Sequence, residues 1–229
     1  MSLGGLPPIT TGTGTQQHRE GYPIGAFFYQ RVVSASLDPA GKVVSPMCDN
    51  GAGGVVACAQ APLVFWGRPT PKWEASFGST LTLHHNLKLY GLVDLKTGHM
   101  IENGDIEASH TAFRNSLQIY QGTDPILAAY DQLGLVSGAG FQKAGFAKLR
   151  ELSVVYTLPE RWARKIGGSR ASVTVAGRNL AILWLQQDNI FGRKVIDPEV
   201  RFGNPEVTAY GQTVLPQMAS FMTTVRITF

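Results

Sequence analysis

The chain has 229 residues, of which 26 are glycine and only 16% are charged, with a formal net charge of +4. It contains no run of eighteen or so apolar residues, so helical membrane spans are excluded, while a membrane β-barrel, whose alternating strands average to near-neutral hydropathy, is not. Lys and Arg are spread out and do not interleave with aromatics, which leaves nucleic-acid binding without support.

Met1 to Glu20 is rich in Gly, Thr and Pro, shows no periodicity and reads as disordered or extended linker, before a main segment over 21–229. It has neither a basic n-region nor an apolar h-region and is not a secretory signal; either the chain is cytoplasmic or it is the tail end of something longer. Tyr22 to Val33 is aromatic and β-branched and predicts a strand. Ser34 to Lys72 reads as a long loop. It holds both cysteines, Cys48 and Cys58, at a spacing too wide for CxxC and with no His nearby. A local disulfide formed in an oxidising compartment is the preferred reading; two unpaired small residues are the alternative.

From Trp73 to His85 apolar and polar residues alternate. After a tight turn around His85 and Asn86 the alternation resumes through Leu87, Leu89, Gly91, Val93 and Leu95. This predicts a hairpin with a very short connection. Thr97 to Lys143 is long, polar and Gly-rich, with one helix-like patch at His110 to Tyr120 (Phe113, Leu117, Tyr120). Phe146 to Leu158 is a strand ended by Pro159. Pro159 to Gly168 allows one helical turn before Gly167 and Gly168 break it. Ser169 to Trp184 is a strand, Gln186 to Pro216 a third long loop.

The terminal stretch Gln217 to Phe229 places Phe229, Ile227, Val225, Thr223 and Phe221 on one face, with Thr228, Arg226, Thr224 and Ser220 on the other. By itself this fits the wall of a transmembrane barrel and the last strand of a soluble sandwich equally well.

The expected fold is therefore all-β, an antiparallel meander of about six strands whose connections alternate long and short, as the outer and periplasmic sides of a barrel require. A sandwich has no reason to sort its loops by parity. That parity puts the long loops outside, and His85–Asn86, Pro159–Gly168 and both chain ends in the periplasm.

Several motifs in order resemble the C-terminal part of SusC/RagA-type TonB-dependent outer-membrane receptors. They are Gly67, Pro69, Pro71 and Trp73; Leu149, Arg150, Leu152, Val154, Tyr156, Leu158 and Pro159; Gly177, Asn179 and Leu180, as a turn into the following loop; and Asp197, Pro198 and Glu199. The resemblance runs from Gly21 to the terminal Phe229. It implies a segment of a 22-stranded, plugged barrel in the outer membrane that imports a nutrient such as an oligosaccharide or peptide. It also implies a C-terminal signal (Phe221, Val225, Ile227, Phe229) read by the barrel-assembly machinery. The implied partners are outer-membrane lipid, the rest of the barrel and its plug, a SusD-like surface lipoprotein, and TonB only through an N-terminal part that this chain is expected to lack. On this expectation the chain is not transport-competent alone, is no enzyme, and needs no cofactor. The alternative is a soluble secreted β-sandwich binding or interaction module.

Site chemistry beyond this is sparse. His84 and His85 lie on opposite faces of the pleat and cannot share an ion from a regular strand. Asp197 and Glu199 could bind calcium in an outer loop with Asp188 and Glu206, but a hard-cation site needs six or more oxygens converging, and Asp197–Pro198 starting a turn with Glu199 exposed is the preferred reading. No hydrolase, zinc-protease or phosphate-loop motif is present. Trp66, Trp73, Trp162, Trp184, Tyr90 and Tyr156 fall mostly near strand ends, where amphipathic rings suit the headgroup level; stacking on a sugar ring is the rival use.

Overall fold

A computed structural model describes residues 2–111, 122, 124–186, 197–199, 203–211 and 215–229. The first strands are β1 (Ile9–Thr11), β2 (Gln16–His18), β3 (Ala26–Tyr29), β4 (Val32–Leu37), β5 (Val43–Asp49), β6 (Val55–Ala57) and β7 (Val64–Gly67). A hairpin of β8 (Trp73–Leu83) and β9 (Leu87–Thr97) follows, then β10 (Met100–Asn103). Three helices come next, α1 (Gly104–Thr111), α2 (Pro125–Gln132) and α3 (Ser137–Gly140), and then β11 (Phe141–Lys143). The chain continues through β12 (Phe146–Thr157), α4 (Glu160–Lys165), β13 (Arg170–Leu185), β14 (Tyr210–Gly211) and β15 (Ser220–Thr228). The fold is all-β, with antiparallel sheets apart from a two-residue parallel pairing of β10 with β14.

The chain divides into two compact units, one of residues 1–71, 98–144 and 186–215, the other of 72–97, 145–185 and 216–229.

The first unit carries three small sheets, ordered β1-β2-β3-β7, β4-β5-β6 and β11-β10-β14. Helix α2 forms because Asp124 caps it, its carboxylate accepting from the N–H groups of Ile126 (2.9 Å) and Leu127 (3.1 Å), and because Pro125 presets the first turn. Its buried face, Leu127, Ala129 and Tyr130, packs with Val32, Cys48 and Cys58. The Cys48 and Cys58 sulfurs are bonded, which ties β5 to the turn after β6. A second cluster joins Phe27, Phe141 and Ala209.

The stretch expected to be a linker is instead built into this unit. Thr15, Gln16 and Gln17 are buried. The Gln16 side chain donates to the carbonyls of Gly25 (2.9 Å) and Pro205 (2.8 Å) and accepts from the Ala209 N–H (2.6 Å). These bonds are polar and distant in sequence, so hydrophobic periodicity gave no warning of them. The loop expected over Ser34 to Lys72 is likewise structured as hairpins. Tyr22 to Val33 is not one strand but two, β3 and β4, in different sheets. Among its described residues, Thr97 to Lys143 contains β10, β11 and the helices α1, α2 and α3 rather than plain loop. The patch with Phe113, Leu117 and Tyr120 lies outside the described residues.

The second unit is one five-stranded antiparallel sheet, ordered β15-β13-β12-β9-β8. Five of the expected strands belong to it; the first does not. Its connections keep the parity: β8 turns into β9 at His84, whose φ of 55° closes the turn, and β12 reaches β13 through the single helix α4, ended at Gly167. The long segments follow β9 and β13. β8 starts at the end from which the long segments leave, and β15 finishes at the other, the order that this alternation requires; what differs is that the expected first strand is not part of this sheet. The Gly177–Leu180 motif is not a turn into a loop. It sits inside continuous β13, where Asn179 takes a left-handed φ of 52° at a local irregularity, a conformation that Asn tolerates better than most residues.

Candidate functional site

Strand pairing assigns every side chain of the five-stranded sheet to one of two faces, because directly opposed residues point the same way. One face carries Trp73, Phe77, Leu81 and Leu83 of β8, with Leu87, Leu89, Val93 and Leu95 of β9 opposite them. It continues through Leu149, Leu152, Val154 and Tyr156 of β12 and Val173 and Val175 of β13 to Phe221, Val225 and Ile227 of β15. No charged side chain interrupts it. Much of it is open: Phe77 is 74% exposed, Phe221 78% and Val225 62%. A soluble sandwich would seal these side chains under a second sheet; among the described residues nothing does so.

The other face is polar and cross-braced. Glu74 pairs with Lys96 at 3.5 Å, and Asp94 accepts from Ser76 and from Arg150 at 3.1 Å. Glu151 meets Arg178 at 3.3 Å. These contacts run across four strands. Arg150 reaches this face because it is the extra residue of a bulge between Leu149 and Glu151. Its place in the motif was legible in sequence; the bulge and the ion-pair ladder were not.

The apolar face is tall enough to span a bilayer core. β8 has 11 residues, which at about 3.4 Å each run some 37 Å, or about 28 Å of membrane depth at a tilt of about 40°. Exposed aromatics mark its two ends: Trp73 and Trp184 where the long segments leave, Tyr156 and Trp162 near the short connections. Two aromatics are placed otherwise than expected. Tyr90 lies mid-strand on the polar face, its hydroxyl 3.3 Å from where a Cβ on Gly78 would sit. Trp66 belongs to the first unit, packs on Phe141 with ring centroids 4.9 Å apart and donates from Nε1 to the Tyr29 carbonyl (3.2 Å).

The remaining motif residues serve backbone geometry. Gly67 lies against Met100, whose Sδ would be 2.5 Å from any Cβ there, and Pro69 is fully buried. The Asp197 carboxylate accepts from the Glu199 N–H (3.1 Å), a local turn around buried Pro198. Asp188 lies outside the described residues. Among the described residues no three His, Cys, Asp or Glu side chains come together to hold a metal.

One buried acid was missed. Glu102 is 1% exposed, and its Oε2 accepts from Thr13 (2.9 Å) and Thr15 (2.6 Å). Burial pushes its carboxyl above the usual range, against the two threonine bonds, and the Glu107 charge pushes the same way. Burial also raises the Tyr130 hydroxyl to about 12, although that oxygen accepts from the Val32 N–H at 3.1 Å.

No protein-family profile and no curated sequence matches the chain. Solved structures do. The RagAB peptide importer in its open-open state superposes with a TM-score of 0.66 at 15% identity, over 100% of this chain and 25% of that one. Its closed-closed state gives 0.65 at 15% identity over 96% and 24%. A further structure of the RagAB peptide transporter gives 0.60 at 15% identity over 97% and 24%. The chain thus spans about a quarter of the chains it matches, and at this identity the likeness is one of fold.

Proposed function

We propose that the five-stranded sheet is a stretch of outer-membrane β-barrel wall, its apolar face against lipid and its polar face toward a lumen, in a TonB-dependent nutrient importer of the SusC/RagA type. The observation that carries this is the exposed, uncharged face from Trp73 to Ile227 backed by a face braced with ion pairs. Such two-sidedness suits a wall between hydrocarbon and water. It leaves the sandwich reading without the second sheet it needs. The fold likeness to a peptide importer and the motif resemblance support the same reading.

Five strands cannot enclose a lumen, for which about eight are the minimum, so this sheet acts as part of a larger wall and does not transport alone. The cargo is an oligosaccharide or peptide. The three segments of the first unit join the strands at the sheet end that we assign to the outer surface, one before β8, one after β9 and one after β13, where a SusD-like lipoprotein would meet them. TonB would act through other parts of such a receptor. Phe221, Val225, Ile227 and Phe229 serve as the signal for barrel assembly.

Nitroxide labels on the chain reconstituted in lipid bicelles test the faces. Labels at 77, 81 and 225 are expected to be relaxed by oxygen, and labels at 80, 153 and 224 by a water-soluble nickel chelate. Equal water accessibility on both faces overturns the wall assignment.

A further inference from the structure

The first unit holds a cavity of about 390 Å³, lined by Arg19, Tyr22, Phe28, Asp49, Leu63 and Phe65 among others. That volume lies within the range of roughly 300–1,000 Å³ typical of small-ligand pockets. Three rings form an aromatic wall: Tyr22 stands edge-on to Phe28 with centroids 4.9 Å apart, and Phe65 lies 5.2 Å from Tyr22 and 5.8 Å from Phe28. The Arg19 guanidinium rests 4.1 Å above the Phe28 ring.

The charges of this cavity are not balanced. Asp49 is engaged: its Oδ2 faces Arg31 at 3.4 Å and its Oδ1 accepts from the Gly51 N–H at 2.8 Å. Arg19 meets no carboxylate among the described residues. It donates from Nη2 to the neutral Gln17 Oε1 (3.0 Å), and its buried Nε has no acceptor. A planar guanidinium held against a ring, with donors to spare, is matched in shape and charge by a carboxylate. A single cation suits a monoanion, and the Asp49 charge on the same cavity disfavours a dianion such as phosphate.

We propose that this cavity is a binding site for a monocarboxylate bearing an apolar or aromatic group. Arg19 takes the carboxylate, and the wall of Tyr22, Phe28, Leu63 and Phe65 takes the apolar part. The site lies wholly within the first unit and stands whether or not the sheet faces lipid.

The test uses the full chain in detergent micelles, with N-acetylphenylalanine as probe and its uncharged amide as comparison, both followed by ligand-observed saturation-transfer NMR, and with inorganic phosphate added as a competitor. The carboxylate is expected to bind at least about tenfold more tightly than the amide, a difference of about 1.4 kcal/mol. Arg19→Gln should abolish that preference and Arg19→Lys should retain part of it. Retention of the Cys48–Cys58 bond and of the circular dichroism spectrum verifies that each variant is folded. Phe65→Ala, at an exposed position, should weaken carboxylate and amide alike and serves if the Arg19 variants do not fold. Equal binding of carboxylate and amide, tighter binding of phosphate, or no saturation transfer from any probe overturns the assignment.

Discussion

Phe221 stands directly opposite Gly177, its ring carbon Cε1 3.2 Å from where a Cβ on that glycine would lie. The aromatic of the last strand thus covers a glycine in the middle of its neighbour, which would otherwise weaken that strand. Leu180 crowds the same space, with Cδ2 2.7 Å from the missing Cβ. Gly177→Val should therefore displace Phe221 and destabilise the β13–β15 pairing by about 1–3 kcal/mol, the usual range for overpacking. The check is the fraction of chain that migrates as the compact, heat-sensitive band on cold gel electrophoresis. A variant indistinguishable from wild type in that assay would show that the contact contributes nothing.

The two faces of the sheet should respond oppositely to charge. Val225→Arg places a cation on the apolar face, for which a cost of about 2–4 kcal/mol near mid-bilayer is expected. Thr80→Arg, on the polar face, should be close to neutral. Denaturant titration of both variants in phospholipid vesicles measures the difference. Equal costs at the two positions would contradict the lipid-facing assignment.

Without detergent or lipid the chain should not give a soluble monomer. The sheet ends on β8 and β15, whose outer edges are unpaired among the described residues, and its apolar face is open. Both features drive association in water. Sedimentation is expected to find aggregate in buffer and a dispersed species in micelles. A monomer in plain buffer that melts cooperatively would overturn the membrane reading.

Reducing Cys48–Cys58, or replacing both with Ser, should loosen the packing of β5, β6 and α2. The bridge closes a short loop, with a sequence separation of 10, for which chain entropy predicts about 3 kcal/mol. Hydrogen exchange over 43–60 and 125–132 should rise in the reduced protein and stay unchanged in the five-stranded sheet.

Glu102 gives the first unit a pH dependence of definite sign. Its folded-state carboxyl lies above the ordinary value of 4.5. The stability tied to its protonated form is therefore complete below that value and is lost as pH rises through the folded-state value. Protease resistance of the first unit should decline over that window. Glu102→Gln keeps a neutral group of the same shape and should remove the decline. A rise in resistance with pH, or a Gln variant with an unchanged profile, would contradict this account.

How far the fold could be read from sequence depended on where its hydrogen bonds go. β8, β9, β12, β13 and β15 pair with sequence neighbours or across one excursion, and each alternates because its two faces meet different surroundings. Trp73 to Leu83 and Phe221 to Ile227 accordingly announced themselves. The first unit is held by contacts that leave no periodic trace: Gln16 bonds to Pro205 and Ala209, and Thr13 and Thr15 to Glu102. Its strands of three or four residues are too short to show alternation. Arg150 could be singled out by its motif. That it pairs with Asp94 required the bulge, and Leu149 to Glu151 looks like ordinary strand in sequence.

The first unit is also discontinuous, and this bears on the order in which the protein can be assembled. Gln16, Glu102 and Ala209 meet within it, yet the strands of the sheet are synthesised between them. Contacts so far apart in sequence form slowly, and the last of them waits until β13 has emerged. The first unit therefore cannot be completed until most of the sheet has been made, and the sheet in turn receives β15 only after the first unit's last segment. Grafting one of its three segments into a foreign scaffold would carry away an incomplete set of partners, whereas exchange of all three together would move a coherent body.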